Sequence, residues 1–423
     1  MKKIDSSMVK IGIGIIFTFV SCTKNAGKNV TQQEQQNVAT PEMMSENGAN
    51  PDETIMTTLS AGNTGLTEVN SEDGSGNHQG GKGSHHGHFL YAESNAAANN
   101  QVMVYEIGAG GLLHLNGTTS SGGAGTGVGL GSQGALTLDE DHELLFAVNA
   151  GSNSVSSFKV RSDGSLELAH TENSGGTTPV SLSVHEGLLY VLNFGSDNIH
   201  GFRIGEEGAL THIVGSTQAL SGTGVVAPQI SFTPNGDWLI VTEKATNNIS
   251  SFKVKDNGSI WPAVVTPSTG QTPFGFDFGR GDFMIVSNAA GGAAGAGSAT
   301  SYRIGGNGVP HAINGAVPNN QAAPCWVAVT KYGRFAFLTN TASNSISSYY
   351  VSPGGYLFLV HQVAATTDNA PIDIVVAKNN YFVYALNSKS GTIGEYHRTF
   401  LGGLESMGTV SGLPVPVTGL TTY

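Results

Sequence analysis

One phrase of hydrophobic and polar positions recurs along the chain. It is plainest at Phe146–Val160, F-A-V-N-A-G-S-N-S-V-S-S-F-K-V. An apolar run closes on Asn149, a small polar turn follows, and Val155, Phe158 and Val160 mark a second extended run. Strand, tight turn and strand is the pattern of a β-hairpin. The phrase returns without a gap at Tyr190–Ile204, Ile240–Val254 and Phe337–Val351, and more loosely at Tyr384–Arg398. Copies with longer turns occupy Leu90–Ile107 and Ile285–Ile304, making seven in all.

Two further signals keep a fixed place around each hairpin. Ahead of it lies a short apolar strand led by proline or a small residue. These leading strands are Gln133–Leu138, Thr178–Leu182, Ala227–Ile230, Thr272–Phe276, Ala323–Val327 and Ala370–Ile374. Proline fits a first strand position, where its missing N–H removes no ladder bond. After the hairpin comes a glycine turn and an apolar residue, as in Asp163-Gly164-Ser165-Leu166 and Asn257-Gly258-Ser259-Ile260.

Each unit therefore carries four short strands. The markers Asn149, Asn193, Glu243, Asn288, Asn340 and Asn387 are spaced by 44, 50, 45, 52 and 47 residues, with Glu93 in the same place in the first hairpin. Four strands in that length is a propeller blade, which predicts an all-β, seven-bladed β-propeller over 88–423. A parallel solenoid is the rival; its repeats are shorter and it needs no returning strand. The first hairpin has no leading strand upstream, whereas Pro416–Leu420 carries that pattern at the far end of the chain. Pairing between the two would close the ring and remove its free edges.

The N-terminus differs. A basic start precedes an apolar core from Ile11 to Val20 and then Ser21-Cys22. That core is short for a membrane span and reads as an export signal, residues 1–22. The stretch resembles a bacterial lipoprotein signal, with Phe19 at the first lipobox position; the resemblance implies lipid on Cys22 and a membrane-anchored protein of the cell envelope. Residues 23–87 are polar and poor in aromatic residues, the composition of a disordered tether. With Cys22 lipidated, Cys325 stands alone, so an inert buried thiol and no internal bridge are expected.

Composition narrows the chemistry. The formal charge is −12, and losing Lys2, Lys3, Lys10 and Asp5 with the signal makes it about −14. That sign, without a basic stripe, excludes nucleic acid as a partner. His78, His85, His86 and His88 cluster near the end of the tether, but a lone polar cluster does not make a metal site. His142, His185, His200, His212 and His311 lack ligand spacing, so no metal and no cofactor are expected. Gly122–Gly131 and Gly291–Gly297 read as rim loops, and Arg280-Gly281-Asp282 as a turn. The fold is expected to be monomeric.

The phrase Tyr190-Val191-Leu192-Asn193 resembles the Y-V-T-N propeller repeat, and 88–423 resembles the lactonase family of seven-bladed propellers, which includes 6-phosphogluconolactonase-type enzymes. The resemblance implies an active site of histidine, arginine and glutamate at the channel mouth, with a P-R-H phrase followed by N-E-L. Here the matching stretches are Pro228-Gln229-Ile230 and Thr242-Glu243-Lys244. Gln229 and Ile230 replace the arginine and histidine; Val180-Ser181-Leu182 and Thr339-Asn340-Thr341 replace two further family positions. Lactone hydrolysis needs a base to activate water and donors for the developing oxyanion. The expected catalytic candidate is therefore Glu243 alone, with Gln229, Lys244 and Trp326 as ligand-binding candidates; Trp326 sits on a leading strand where an aromatic could stack on a ligand or pack between blades. The expected function is binding of a small molecule or a protein at the channel mouth. A lactone hydrolase with a rearranged site is the alternative, and a structural surface module a third.

Overall fold

The computed structural model describes residues 88–139, 141, 143–279 and 283–423. The signal with Cys22, the tether, His78, His85, His86, His142 and Arg280-Gly281-Asp282 lie outside the described residues. Within them the fold is the expected one: seven antiparallel sheets built on four strands, which in six of them run in sequence order from the inside out. Blade 2 is typical, with strands Leu136–Asp139, Leu144–Asn149, Ser154–Val160 and Leu166–Asn173. Blade 3 adds a fifth short strand, Gln218–Ala219, beside Asn198–Ile204; the sequence pattern does not announce it.

Ring closure takes the form predicted. Thr418–Thr422 is the innermost strand of blade 1 and pairs antiparallel with Phe89–Glu93, Leu420 opposite Ala92. Blade 1 thus joins the first and last strands described.

Strand direction gives the ring two distinct faces. Each second strand runs up from the lower face and ends at its marker residue on the upper face. The marker side chains are buried and tie down the upper turns: Asn149 donates to Ser156 Oγ at 2.8 Å, and Asn340 to Ser345 and Ser347. The glycine turns between third and fourth strands lie on the lower face. Each leans on the start of the second strand in the preceding blade. Gly164 has φ +78°, and a Cβ there would come within 2.3 Å of Phe89; Gly308, at φ +81°, meets Trp238 in the same way. Only glycine combines that backbone with so close a ring. Tyr91 and Tyr190 reinforce the contact by donating to the carbonyls of Gly164 and Gly258.

If the C-terminal strand closes the ring, deleting residues 415–423 removes four ladder pairings and the packing of Leu420. The expected loss is several kcal/mol, of the order of a whole domain's stability of about 5–15 kcal/mol. The truncated protein should aggregate or unfold; an unchanged melting temperature would contradict the closure energetics.

Candidate functional site

An innermost strand has one neighbour in its own sheet, so its other edge faces the channel with N–H and C=O groups unpaired. Buried backbone groups of this kind must find partners. Side chains of the adjoining blade supply them. Gln229 of blade 4 clasps Phe276 of blade 5 with both ends of its amide, accepting the N–H at 2.7 Å and donating to the carbonyl at 2.9 Å. Ser181 and Ser183 of blade 3 accept the N–H groups of Ile230 and Phe232. Asp277 of blade 5 accepts the Val329 N–H at 2.8 Å, and Asp373 of blade 7 the Leu420 N–H at 3.0 Å.

The connection into blade 2 adds a span across the channel. Gln133 clasps Val327 of blade 6 with its amide, at 3.1 and 2.7 Å, while its own N–H bonds the Pro228 carbonyl. The Trp326 indole N–H donates to the Ser132 carbonyl at 2.8 Å, and Ser132 Oγ to that of Val180. The Gly-rich stretch before it, expected as an outer rim loop, thus leads into a crossbar over the channel.

These contacts define what each sequence candidate does. Gln229 has both amide ends engaged by Phe276. Trp326 is buried, its N–H taken by Ser132 and its ring 4.8 Å from that of Phe274. Glu243 is the marker residue of blade 4 and fully buried. Its Oε1 accepts from Ser250 Oγ at 2.6 Å and the Ser221 N–H at 3.1 Å; its Oε2 accepts from Thr246 Oγ1 at 2.7 Å and from Ser221 Oγ. All four donors belong to its own blade or the loop leading to it. Glu93, the other acidic marker, accepts one bond from Asn100, and burial pushes its carboxyl well above the usual range.

Lys244 stands apart. It follows Glu243 at the upper face, half-buried, with Nζ 3.2 Å from the Gly131 carbonyl and 4.4 Å from the centre of the Phe274 ring. Burial brings its ammonium down to about 7. It therefore exchanges a proton near neutrality beside the crossbar. Lys244, Phe274, Trp326 and the Gly131–Gln133 segment form one cluster, whereas Gln229 and Glu243 serve the blades. Cys325 is buried as expected.

Sequence reasoning missed Gln133, Asp277 and Asp373. A polar residue inside an otherwise apolar leading strand was the available signal. Burial raises Asp373 to about 7 and Asp277 to about 6. Against its ordinary value of 3.8, Asp373 keeps a proton in the folded chain that the unfolded chain releases. Its contribution to stability therefore grows as pH falls from 7 towards 4, and above 7 its charge opposes folding. Asp373→Asn keeps an oxygen for the Leu420 N–H. It should stabilise the protein at pH 8 by about 1–3 kcal/mol and lose that advantage near pH 4. A pH-independent difference in melting temperature would refute the assignment.

Comparison with known proteins agrees with this architecture. Residues 124–228 and 309–418, just over half of the chain, match the family described as Lactonase, 7-bladed beta-propeller. No curated protein sequence matches the chain. Among solved structures, a protein from Lactobacillus plantarum is 17% identical with a TM-score of 0.67, covering 80% of this chain and 99% of that one. A candidate 6-phosphogluconolactonase from Bacteroides fragilis is 16% identical with a TM-score of 0.63, covering 82% and 100%. The periplasmic gluconolactonase of Pseudomonas aeruginosa is 17% identical with a TM-score of 0.62, covering 79% and 98%. At these identities the shared property is the fold, and with the family match it carries one conclusion: the chain belongs to the lactonase family of seven-bladed β-propellers.

Proposed function

We propose that this protein is an exported, lipid-anchored member of the family that binds a small anionic ligand at the upper channel mouth and does not hydrolyse lactones. The observation that carries this reading is the engagement of Glu243. A general base must offer a lone pair to water, and both Glu243 oxygens already accept two bonds each from serine, threonine and backbone donors. Gln229, in place of the family's arginine, is likewise occupied by Phe276. Lys244, held by the Gly131 carbonyl and the Phe274 ring, is the candidate cation of the site. An anion beside it would favour its charged form, since an opposite charge raises the pKa of an amine. Sugar acids suit such a site, because their carboxylate would meet the Lys244 ammonium.

The alternative is a lactone hydrolase with a rearranged site, favoured by the same lysine, because an amine titrating near 7 is neutral half the time and able to take a proton from water. The lactonase activities by which the Bacteroides and Pseudomonas proteins are named belong to those proteins; they make sugar lactones the substrates to try first. Titrating the purified chain with aldonates and their lactones separates the readings. Binding should raise the melting temperature with no hydrolysis above buffer, and Lys244→Met should abolish that rise. Turnover that Lys244→Met removes would establish the hydrolase instead.

Anchoring has its own test. Mass spectrometry of membrane-associated protein should find Cys22 as an acylated N-terminus. Membrane-associated protein whose Cys22 carries no acyl chain would overturn the anchor.

A further inference from the structure

The lower face is divided by charge. Over blades 2 to 4 its turns carry a net negative charge, with Asp141, Glu143, Asp163, Glu186, Glu206, Glu207, Asp237 and Asp256 outnumbering Arg161 and Lys255. Over blades 6 and 7 the equivalent turns read Lys331-Tyr332-Gly333-Arg334, Lys378-Asn379-Asn380-Tyr381 and Arg398-Thr399-Phe400-Leu401. Their contacts make one surface. The Lys331 N–H donates to Asn380 Oδ1 at 3.2 Å, and Arg398 Nε to the Asn380 carbonyl at 2.8 Å. The Arg334 guanidinium lies 5.5 Å from the centre of the Phe400 ring, and near enough to Arg398 to oppose its charge. The aromatic side chains nevertheless face water: Tyr332 is 71% exposed, Tyr381 59% and Phe400 75%.

The chain reaches the ring at this same sector. His88 and Phe89 begin the second strand of blade 1 at the lower face, where the Phe89 carbonyl accepts the Tyr423 N–H and Lys378 lies 4.4 Å from the Tyr423 ring. The 87 residues that precede His88 therefore join the domain beside blade 7, on the face opposite the channel mouth.

Exposed tyrosine and phenylalanine among arginine and lysine suit the boundary of a bilayer, where rings settle among headgroups and cations are drawn to an anionic surface. We infer that the sector of the lower face formed by blades 6 and 7 docks on an anionic lipid surface. The acidic turns of blades 2 to 4 are repelled by the same surface, so the ring would tilt onto one sector and its channel mouth would face away from the lipid. This orientation requires neither the ligand proposed for the mouth nor lipid on Cys22.

The test uses the full chain with vesicles of phosphatidylcholine alone or mixed with phosphatidylglycerol, read by hydrogen exchange of the turns at short times. With anionic vesicles, the segments 331–334, 379–382 and 399–402 should gain protection while 235–237 does not, and high salt should reverse the gain. The variant Lys331→Glu/Arg334→Glu, at two exposed positions, should lose most of that protection at an unchanged melting temperature. Equal protection with neutral vesicles, protection spread over blades 2 to 4, or no protection would each overturn the inference. So would protection by a soluble anionic polysaccharide but not by vesicles, which would identify a glycan as the partner.

Discussion

The inner edge of the ring is the constraint on which the rest depends. Seven short strands are packed around one axis, and each has backbone groups that no eighth strand can pair. Gln229, Ser181, Ser183, Asp277 and Asp373 answer that need from neighbouring blades, and Gln133 from across the channel. An unmet hydrogen bond in such a place costs about 1–3 kcal/mol, a large part of the stability of any domain. A side chain committed to this task is not available to a ligand. Gln229, singled out by family resemblance, is committed in this way to Phe276, while Glu243 is committed to the turn of its own blade.

The lower face has a different constraint. A ring of blades needs each sheet to sit close against the next, and the seven glycine turns allow it by presenting bare backbone to a large apolar side chain. Phe89, Trp238 and Phe335 fill the places beneath Gly164, Gly308 and Gly402. Hydrogen bonds at the channel and glycine contacts at the lower rim thus hold the same interfaces from two sides. Between them lie the buried apolar faces of the second and third strands.

Much of the fold was legible because it repeats. The hairpin phrase, the marker asparagine and the glycine turn recur at a spacing that four strands explain, and Pro416–Leu420 stood out as a leading strand without a hairpin. The candidate site was less legible because its contacts join residues far apart in sequence. Trp326 bonds Ser132, and Gln133 clasps Val327; no local pattern says which blade lies across a channel. Glu243 shows the opposite effect. Its place in the repeat was correctly read as that of the marker asparagines, and the marker's task of tying down a turn accounts for its four bonds without any chemistry. Lys244 was recognisable only as a charge at a strand end; its proximity to Gly131 and Phe274 depends on the ring.

Closure of blade 1 also orders events in time. Ala92 is made early and its partner Leu420 among the last residues of the chain. Until that strand arrives, blade 1 lacks its inner strand, and the Asp373 carboxyl has no Leu420 N–H to accept. A chain emerging N-terminus first can form hairpins as it goes, but the circle stays open until Leu420 and its neighbours have been made. Every blade between the two partners can therefore be complete while the ring as a whole is still free to open, and a single strand pairing decides when its circular topology is fixed.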